Sequence, residues 1–430
     1  MAKKMLFLFV LLLSLTGMLK AQVTTAGMSG KVVADEEAVI GATVVAVHEP
    51  SGTSYGTVTN VDGRFSLQGM RSGGPYKVTV SYIGYQTAIY TGIQLQLGET
   101  YSLNVTLHEA SELLGEITIT ASKSKFSAEK TGATTNISSE QLTTLPSINR
   151  SISDFTRISP YASGNSFGGR DGRSNTFTVD GANMNNNFGL SSDLPGGGNP
   201  ISLDAIDEVQ VVIAPYDVRQ ANFIGAGINA ITKSGTNAYR GSAYMYFNNE
   251  VMRGNKIGDT DFGVRAEESK TVYGATLGGP IIKDKLFFFA NVEYEKSPQQ
   301  VITWRAAREG EDPNNSTISR TTEADLAEFS QILKDKYGYN TGSFTDFPAD
   351  VTNLKLLGRI DWNINQGNKL SVRYNFTNNK TWNAPNGSSG NTGYRLAYNR
   401  VSAYSMSYAN SCYSCLLYTS PSPRDTERSR

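Results

Sequence analysis

Two runs around residue 360 alternate between apolar and polar side chains. In Lys355 to Ile364, the residues Leu356, Gly358, Ile360, Trp362 and Ile364 fall on one face, and Lys355, Arg359, Asp361 and Asn363 on the other. In Lys369 to Thr377, Leu370, Val372, Tyr374 and Phe376 oppose Lys369, Ser371, Arg373, Asn375 and Thr377. Leu286, Phe288, Ala290, Val292 and Tyr294 form a third apolar face, opposite Asn291, Glu293 and Glu295. A period of two is that of a strand. Runs of about 9–11 residues are what a tilted strand needs to cross a bilayer. A soluble sandwich alternates as well, but two features separate the cases. The polar face mixes Arg and Lys with Asp and Glu, which a wet barrel lumen tolerates, and the apolar face ends in aromatics, as an interfacial girdle does. Past residue 19 no apolar run reaches the roughly 20 residues of a spanning helix. A membrane-spanning chain of this kind is therefore a barrel.

The turns support this reading. Asn365-Gln366-Gly367-Asn368 joins the first two runs, and Ile282-Lys283-Asp284-Lys285 precedes the third. These short turns alternate with long polar connections over residues 250–270 and 297–352, the asymmetry expected between periplasmic turns and extracellular loops. A helix is predicted in the second connection, over Thr322 to Tyr337, with Leu326, Phe329 and Leu333 on one face. About seven or eight strands can be counted, against about 22 in plugged transporters. The barrel over residues 239–410 is expected to be incomplete, because an open sheet edge cannot persist in hydrocarbon.

The chain opens with a targeting pattern. Lys3-Lys4 is basic, Met5 to Leu15 is apolar, and Ala21 precedes Gln22 as a small residue at a cleavage position. Residues 1–21 read as a signal peptide. Residues 22–108 then read as a small β-sandwich, with strands near Ser29–Val33, Ala42–Val47, Thr57–Thr59, Arg64–Leu67, Tyr76–Tyr82 and Tyr101–Leu107. Asn60-Val61-Asp62-Gly63 supplies the turn chemistry of a hairpin. Asp62 belongs to an Asx-type turn, with calcium ligation as the alternative. The opening strand with its glycine and the N-x-D-G-x-F turn resemble the carboxypeptidase-regulatory-like domain found in front of many Bacteroidetes receptors.

Residues 109–130 form a polar linker around one apolar run, Leu113 to Ala121. It reads either as an exposed strand ready for β-augmentation by another chain or as the last strand of the sandwich. Residues 131–238 begin with two short helices, Ser139–Leu145 and Ile152–Ile158. There follow Gly168-Gly169-Arg170-Asp171-Gly172-Arg173-Ser174-Asn175, the strand Thr176–Val179 with its turn Asp180-Gly181, then Pro200 to Val211, Ala214-Pro215-Tyr216-Asp217-Val218-Arg219 and Gly225 to Asn237. Taken in order, these resemble the plug of TonB-dependent receptors, and the P-Y-D-V-R and G-x-G-I-N-A-x-T-x-S-G-T-N forms are similar to the Oar-like branch.

The fold class expected is mainly β: an N-terminal sandwich, a small α+β plug, and an incomplete transmembrane antiparallel barrel. The resemblance implies a transporter in the outer membrane of a Gram-negative cell, with sandwich and plug on the periplasmic side. It implies TonB and its inner-membrane energising complex as partner, taking Glu116, Ile117, Thr118, Ile119, Thr120 and Ala121 as its box. Outer-membrane lipid surrounds the barrel, and a surface lipoprotein is a further partner class. The cargo is a large glycan, peptide or protein, imported or exported. Substrate contacts are expected on plug loops at Arg170, Asp171, Arg173, Asn183, Asn185 and Phe188. The alternative is a carbohydrate-binding or adhesive surface protein that transports nothing.

Other classes find little support. The 39 basic and 39 acidic residues balance, so no nucleic-acid footprint exists. With two His set far apart, no metal, cofactor or catalytic set is expected, nor any enzyme. The glycine clusters lack the G-K-[ST] of a phosphate loop. Cys412 and Cys415 form a C-x-x-C in a tail, residues 411–430, whose Cys415–Asp425 stretch reverse-translates to a transposase-type sequencing adapter. That tail is expected to be foreign to the natural gene.

Overall fold

A computed structural model describes residues 24–109, 117–120, 133–145, 147, 150–185, 199–215, 220, 223–254, 256–261, 269–298, 305–311, 318–341, 350–365, 368–380 and 410–414. The signal peptide, Glu116, Ala121, Phe188, residues 216–219 and Cys415 with the tail after it lie outside these residues.

The first unit is a two-sheet sandwich. In one sheet Ala26–Ala34 is central, antiparallel to Arg64–Met70 and to the short Glu37–Ala38, and parallel to Thr100–Ser102 and Val105–Leu107. The other runs in the order Ile117–Thr120, Ala88–Leu95, Gly73–Ser81, Thr43–His48, Thr53–Val58. Alternation decides which side chains meet between them: Val44 and Ala46 from one strand, Tyr76, Val78 and Val80 from the next, against Met28, Val32, Phe65 and Leu67 of the opposite sheet. The turn at residue 60 works as an Asx turn: Asn60 Oδ1 accepts the Asp62 and Arg64 N–H groups, and Gly63 takes a φ of 72°. Ala88–Leu95 was not expected from sequence, because Gly92 interrupts its pattern; that glycine sits at a φ of 78°, where the register against Gly73–Ser81 shifts.

The second unit is a mixed five-stranded sheet in the order Ala133–Ser138, Ile206–Ala214, Gly227–Thr232, Thr176–Val179, Ala182–Asn183. Helix Ser139–Thr144 is stopped at Leu145, before Pro146, as anticipated. Helix Ile152–Thr156 ends two residues earlier than expected, at Arg157. Asp180 and Gly181 both adopt positive φ, 50° and 85°, which makes the two-residue turn of a type I′ hairpin pairing Val179 with Ala182.

The third unit is an antiparallel sheet of long strands: Arg240–Asn249, Ser269–Ile282, Leu286–Pro298, Asp350–Asn365 and Asn368–Lys380, with Asn410–Ser414 added at its edge. Six described strands form this wall, fewer than the seven or eight expected. The ribbons Lys256–Ile257 with Thr260–Asp261 and Arg305–Ala307 with Ile318–Thr322 lie in the long connections instead. The sheet is open. Helix Glu323–Tyr337 occupies the second connection, capped by Thr322 and ended by Gly338 in the left-handed region. Only Leu326 of its predicted face is buried, while Phe329 is exposed.

The wall is built inside out. Its apolar face is exposed: Val292 is 43%, Trp362 45% and Tyr374 48% accessible. Its polar face is covered: Glu293 is 4%, Lys355 3% and Asn375 2% accessible. Aromatic side chains lie over glycines on both faces. A Cβ on Gly274 would stand 2.1 Å from the Tyr244 ring, and one on Gly279 would stand 2.3 Å from the Tyr239 ring.

One glycine controls the sandwich. At Gly30 the first strand changes partners, from Thr100–Ser102 to Val105–Leu107, and Leu103 N–H donates to Ser29 O at 2.8 Å. A Cβ on Gly30 would lie 1.8 Å from the Leu103 carbonyl oxygen. Backbone cannot swing aside as a side-chain end can, so Gly30→Ala is expected to cost the sandwich about 3 kcal/mol. The measurement is its urea midpoint, and an unchanged midpoint would show that the crossover has room to relax.

Candidate functional site

The mixed sheet lies against the polar face of the wall, and the contact is hydrogen-bonded and ionic at two places. In the first, Lys355 Nζ donates to Glu293 Oε1 at 2.8 Å with both side chains buried. Glu293 Oε2 also accepts from Tyr244 OH at 2.9 Å and from Ser202 Oγ, on the mixed-sheet unit, at 2.8 Å. Thr377 Oγ1 donates to Pro200 O at 2.6 Å. Beside them Arg150 pairs with Asp204 and lies 3.8 Å from the Tyr246 ring centroid.

The second place joins all three units. Asp361 on the wall accepts from Arg359 Nε at 2.8 Å, from Arg71 of the sandwich at 3.2 Å, and from Ser371. Arg359 also reaches into the mixed sheet, donating from Nη1 to Thr232 O at 2.5 Å. Thr232 N–H and hydroxyl both donate to Asp180, at 3.0 and 2.6 Å. Asp180 lies 3.5 Å from Arg373, back on the wall. Apolar contact is a small part of this interface: Phe289 and Leu357 point inward from the wall to join the core around Phe155, Phe177, Val209 and Val211.

The sandwich is fastened at the end of the wall that carries the short turns. Asn363 Nδ2 donates to Thr53 Oγ1 at 3.0 Å, and Asn237 N–H donates to Pro50 O at 2.8 Å. Lys369 lies 3.2 Å from the Tyr55 ring centroid. On the mixed sheet, Glu208 accepts the Leu97 N–H at 3.1 and 3.2 Å while Gln210 Nε2 donates to the Leu97 carbonyl at 2.5 Å. One peptide of the sandwich is thus gripped from both sides. Burial pushes the Glu208 carboxyl up to about 8, partly opposed by the Leu97 N–H.

Sequence reasoning placed substrate contacts elsewhere. Arg170, Asp171 and Arg173 are exposed together on one loop. Asp171 caps the short helical turn that follows and accepts from Arg173 N at 2.8 Å; the Arg173 guanidinium first, and that backbone bond second, hold its carboxyl below the usual carboxylate range. Asn183 and Asn185 bind backbone: Asn185 Oδ1 accepts the Phe177 N–H at 2.7 Å and Asn183 Oδ1 the Asn185 N–H at 2.8 Å. They shape the loop beside Arg170. Ile117–Thr120 is a strand of the sandwich sheet, paired in parallel with Ala88–Thr91. The sealing residues Glu293, Lys355, Arg359 and Asp361 were legible in sequence only as a polar face; nothing there gave their partners. Among the described residues no group of His, Cys, Asp and Glu could hold a metal ion.

Comparison with known proteins agrees with this architecture. Residues 27–108 match the carboxypeptidase regulatory-like domain, and residues 231–412 match the outer membrane beta barrel domain. The chain is 25% identical over 343 residues to the TonB-dependent transporter Oar of Myxococcus xanthus, an alignment covering 75% of this chain and 30% of that protein. It thus spans less than a third of that relative's length. Among solved structures the chain aligns with the siderophore receptor PirA from Acinetobacter baumannii, at 18% identity over 63% of this chain and 35% of that one, TM-score 0.42. Another is the outer membrane transporter YddB from Escherichia coli, at 14% identity over 58% and 34%, TM-score 0.37. By these matches residues 27–108 are similar to a regulatory-like domain and residues 231–412 to an outer-membrane barrel domain.

Two consequences can be measured. Removing one partner of a buried ion pair strands the other, at about 3–5 kcal/mol. Lys355→Met is expected to loosen the mixed sheet by that order, and Lys355→Met with Glu293→Gln to recover most of it, read as protease resistance of residues 133–232. Equal losses in both variants would show that the pair does not hold the seal. The second is a pH dependence. A carboxyl raised from 4.5 to about 8 binds its proton more tightly when docked than when free. Docking is therefore undiminished below about pH 4.5, weakens as pH climbs towards about 8, and is flat above. Glu208→Gln should remove that slope from urea midpoints taken between pH 5 and 8.5. Parallel wild-type and variant curves would rule Glu208 out.

Proposed function

We propose that this chain supplies the sandwich, plug and first wall strands of a TonB-dependent outer-membrane transporter. The observation that carries this reading is the polar seal. A plug meant to be permanent would be held by apolar contact. This one is held by the Asp180–Arg373 ion pair and by hydrogen bonds to a polar wall face, which can be exchanged for water with modest net change in free energy. Work applied to such a plug can open a path through the barrel. The outer membrane has no nucleotide supply, so a mechanical link to the inner membrane is the fitting source of that work. The 25% identity to a TonB-dependent transporter supports TonB as the link.

Ile117–Thr120, with the flanking Glu116 and Ala121, is the segment proposed to pair with TonB, since an extended strand can extend the sheet of another protein. The loop of Arg170, Asp171 and Arg173, shaped by Asn183 and Asn185, is proposed to meet cargo, together with Phe188. The cargo class proposed is large: a glycan, peptide or protein. A surface lipoprotein would cap the long-connection side. An adhesive role fits less well, because the sandwich is bound at the short-turn end of the wall.

The test is a site-specific cross-link. With Thr118→Cys in a receptor whose barrel is closed, a single-cysteine TonB C-terminal domain is expected to form a disulfide at this position and not at Thr106→Cys. Cross-linking at neither position, with TonB-driven uptake intact, would sink the assignment.

A further inference from the structure

The strand assigned to TonB is already paired. Ile117, Thr118, Ile119 and Thr120 run parallel to Ala88, Ile89, Tyr90 and Thr91, as the edge strand of the sandwich's second sheet. The chain is led there by two contacts just beyond the last sandwich strand: Gln86 N–H donates to His108 O at 2.8 Å, and Tyr85 bridges Glu109. The ladder spans four residue pairs and stops at Thr91, immediately before the positive-φ Gly92. On its other side Ala88–Leu95 is held by the longer antiparallel pairing to Gly73–Ser81.

We infer that the Ala88–Thr91 edge of the sandwich is a resting dock for the TonB-pairing segment, so that TonB captures the segment by strand exchange and finds no free tail. The inference rests on the proposed identity of Ile117–Thr120. Each backbone N–H and C=O of the short strand can face one sheet edge at a time on a given side, so pairing with Ala88–Thr91 and pairing through that same edge with another protein exclude each other. The dock suits release. It is parallel, the weaker of the two ladder types, and only four residues long. The sandwich then has a role beyond spacing: it lowers the affinity of the idle receptor for TonB and covers an edge that would otherwise invite aggregation.

The affinity cost follows from the fraction of time the strand is undocked. A strand that is nine-tenths docked binds about tenfold more weakly than the free segment. The experiment compares three ligands for the purified C-terminal domain of TonB. They are a synthetic peptide of residues 113–124, the whole chain with Cys412→Ser and Cys415→Ser in detergent, and that same chain carrying Thr120→Cys and Thr91→Cys, a register pair. The peptide is expected to bind at least tenfold more tightly than the chain. The double-cysteine chain should lose binding when oxidised and regain it on reduction, the reduced form serving as its own folding control. If the chain binds as tightly as the peptide, or the oxidised chain still binds, the dock is overturned while the TonB assignment stands. If the peptide itself fails to bind, the assignment falls and the dock goes with it. Hydrogen exchange gives a second readout: the amides of Ile117–Thr120 are protected in the chain alone, and those of Ala88–Thr91 gain exchange when TonB is added.

Discussion

Everything in this molecule follows from which face of the wall meets water. A membrane-crossing sheet must turn its apolar face outward, so its polar face has to be satisfied from within. The plug does that satisfying. Ser202 meets Glu293, Thr232 meets Arg359, Asp180 meets Arg373, and Pro200 accepts from Thr377. A hydrophobic plug would leave those wall charges buried without partners, and an absent one would leave them in water. The same constraint explains the plug's character: short strands, glycine-turned loops, and an apolar core that, among the described residues, takes Phe289 and Leu357 from the wall.

Asp361 carries an unusual share of the organisation. Arg71 of the sandwich and Arg359 of the wall both donate to it, and Arg359 passes the connection to Thr232 of the plug. A shift of any one unit therefore changes the charge environment of the other two. Two-sided capture of Leu97 by Glu208 and Gln210 is a second junction of this kind, made of backbone and hence indifferent to the side chain it holds. Together they couple the sandwich to the seal between the mixed sheet and the wall.

The sequence was most informative where periodicity is enforced by solvent. Lys355–Ile364 and Lys369–Thr377 announce strand, length and facing at once, because a one-residue slip would put charges into lipid. The Asn60 turn and the Asp180-Gly181 hairpin were readable because their chemistry is local. Ala88–Leu95 was hidden by Gly92, whose bulge breaks the alternation. The position of Ile117–Thr120 was undecidable because a strand that joins its own sandwich and one that joins a foreign sheet need the same residues. The partners in the seal were out of reach as well: Lys355 and Glu293 are 62 residues apart, and no local rule selects that pair.

The facing of the wall strands can be read from accessibility along adjacent positions. Nitroxide labels placed singly at Ile360, Val372, Tyr374, Ser371 and Asn375, in a closed-barrel receptor embedded in a bilayer, report collision with membrane-dissolved oxygen or with a water-soluble nickel chelate. Labels at Ile360, Val372 and Tyr374 should be relaxed by oxygen, and labels at Ser371 and Asn375 by neither reagent while the plug is seated. Loss of the alternation, or its reversal, would contradict an inside-out wall and with it the seal and the transport reading built on it.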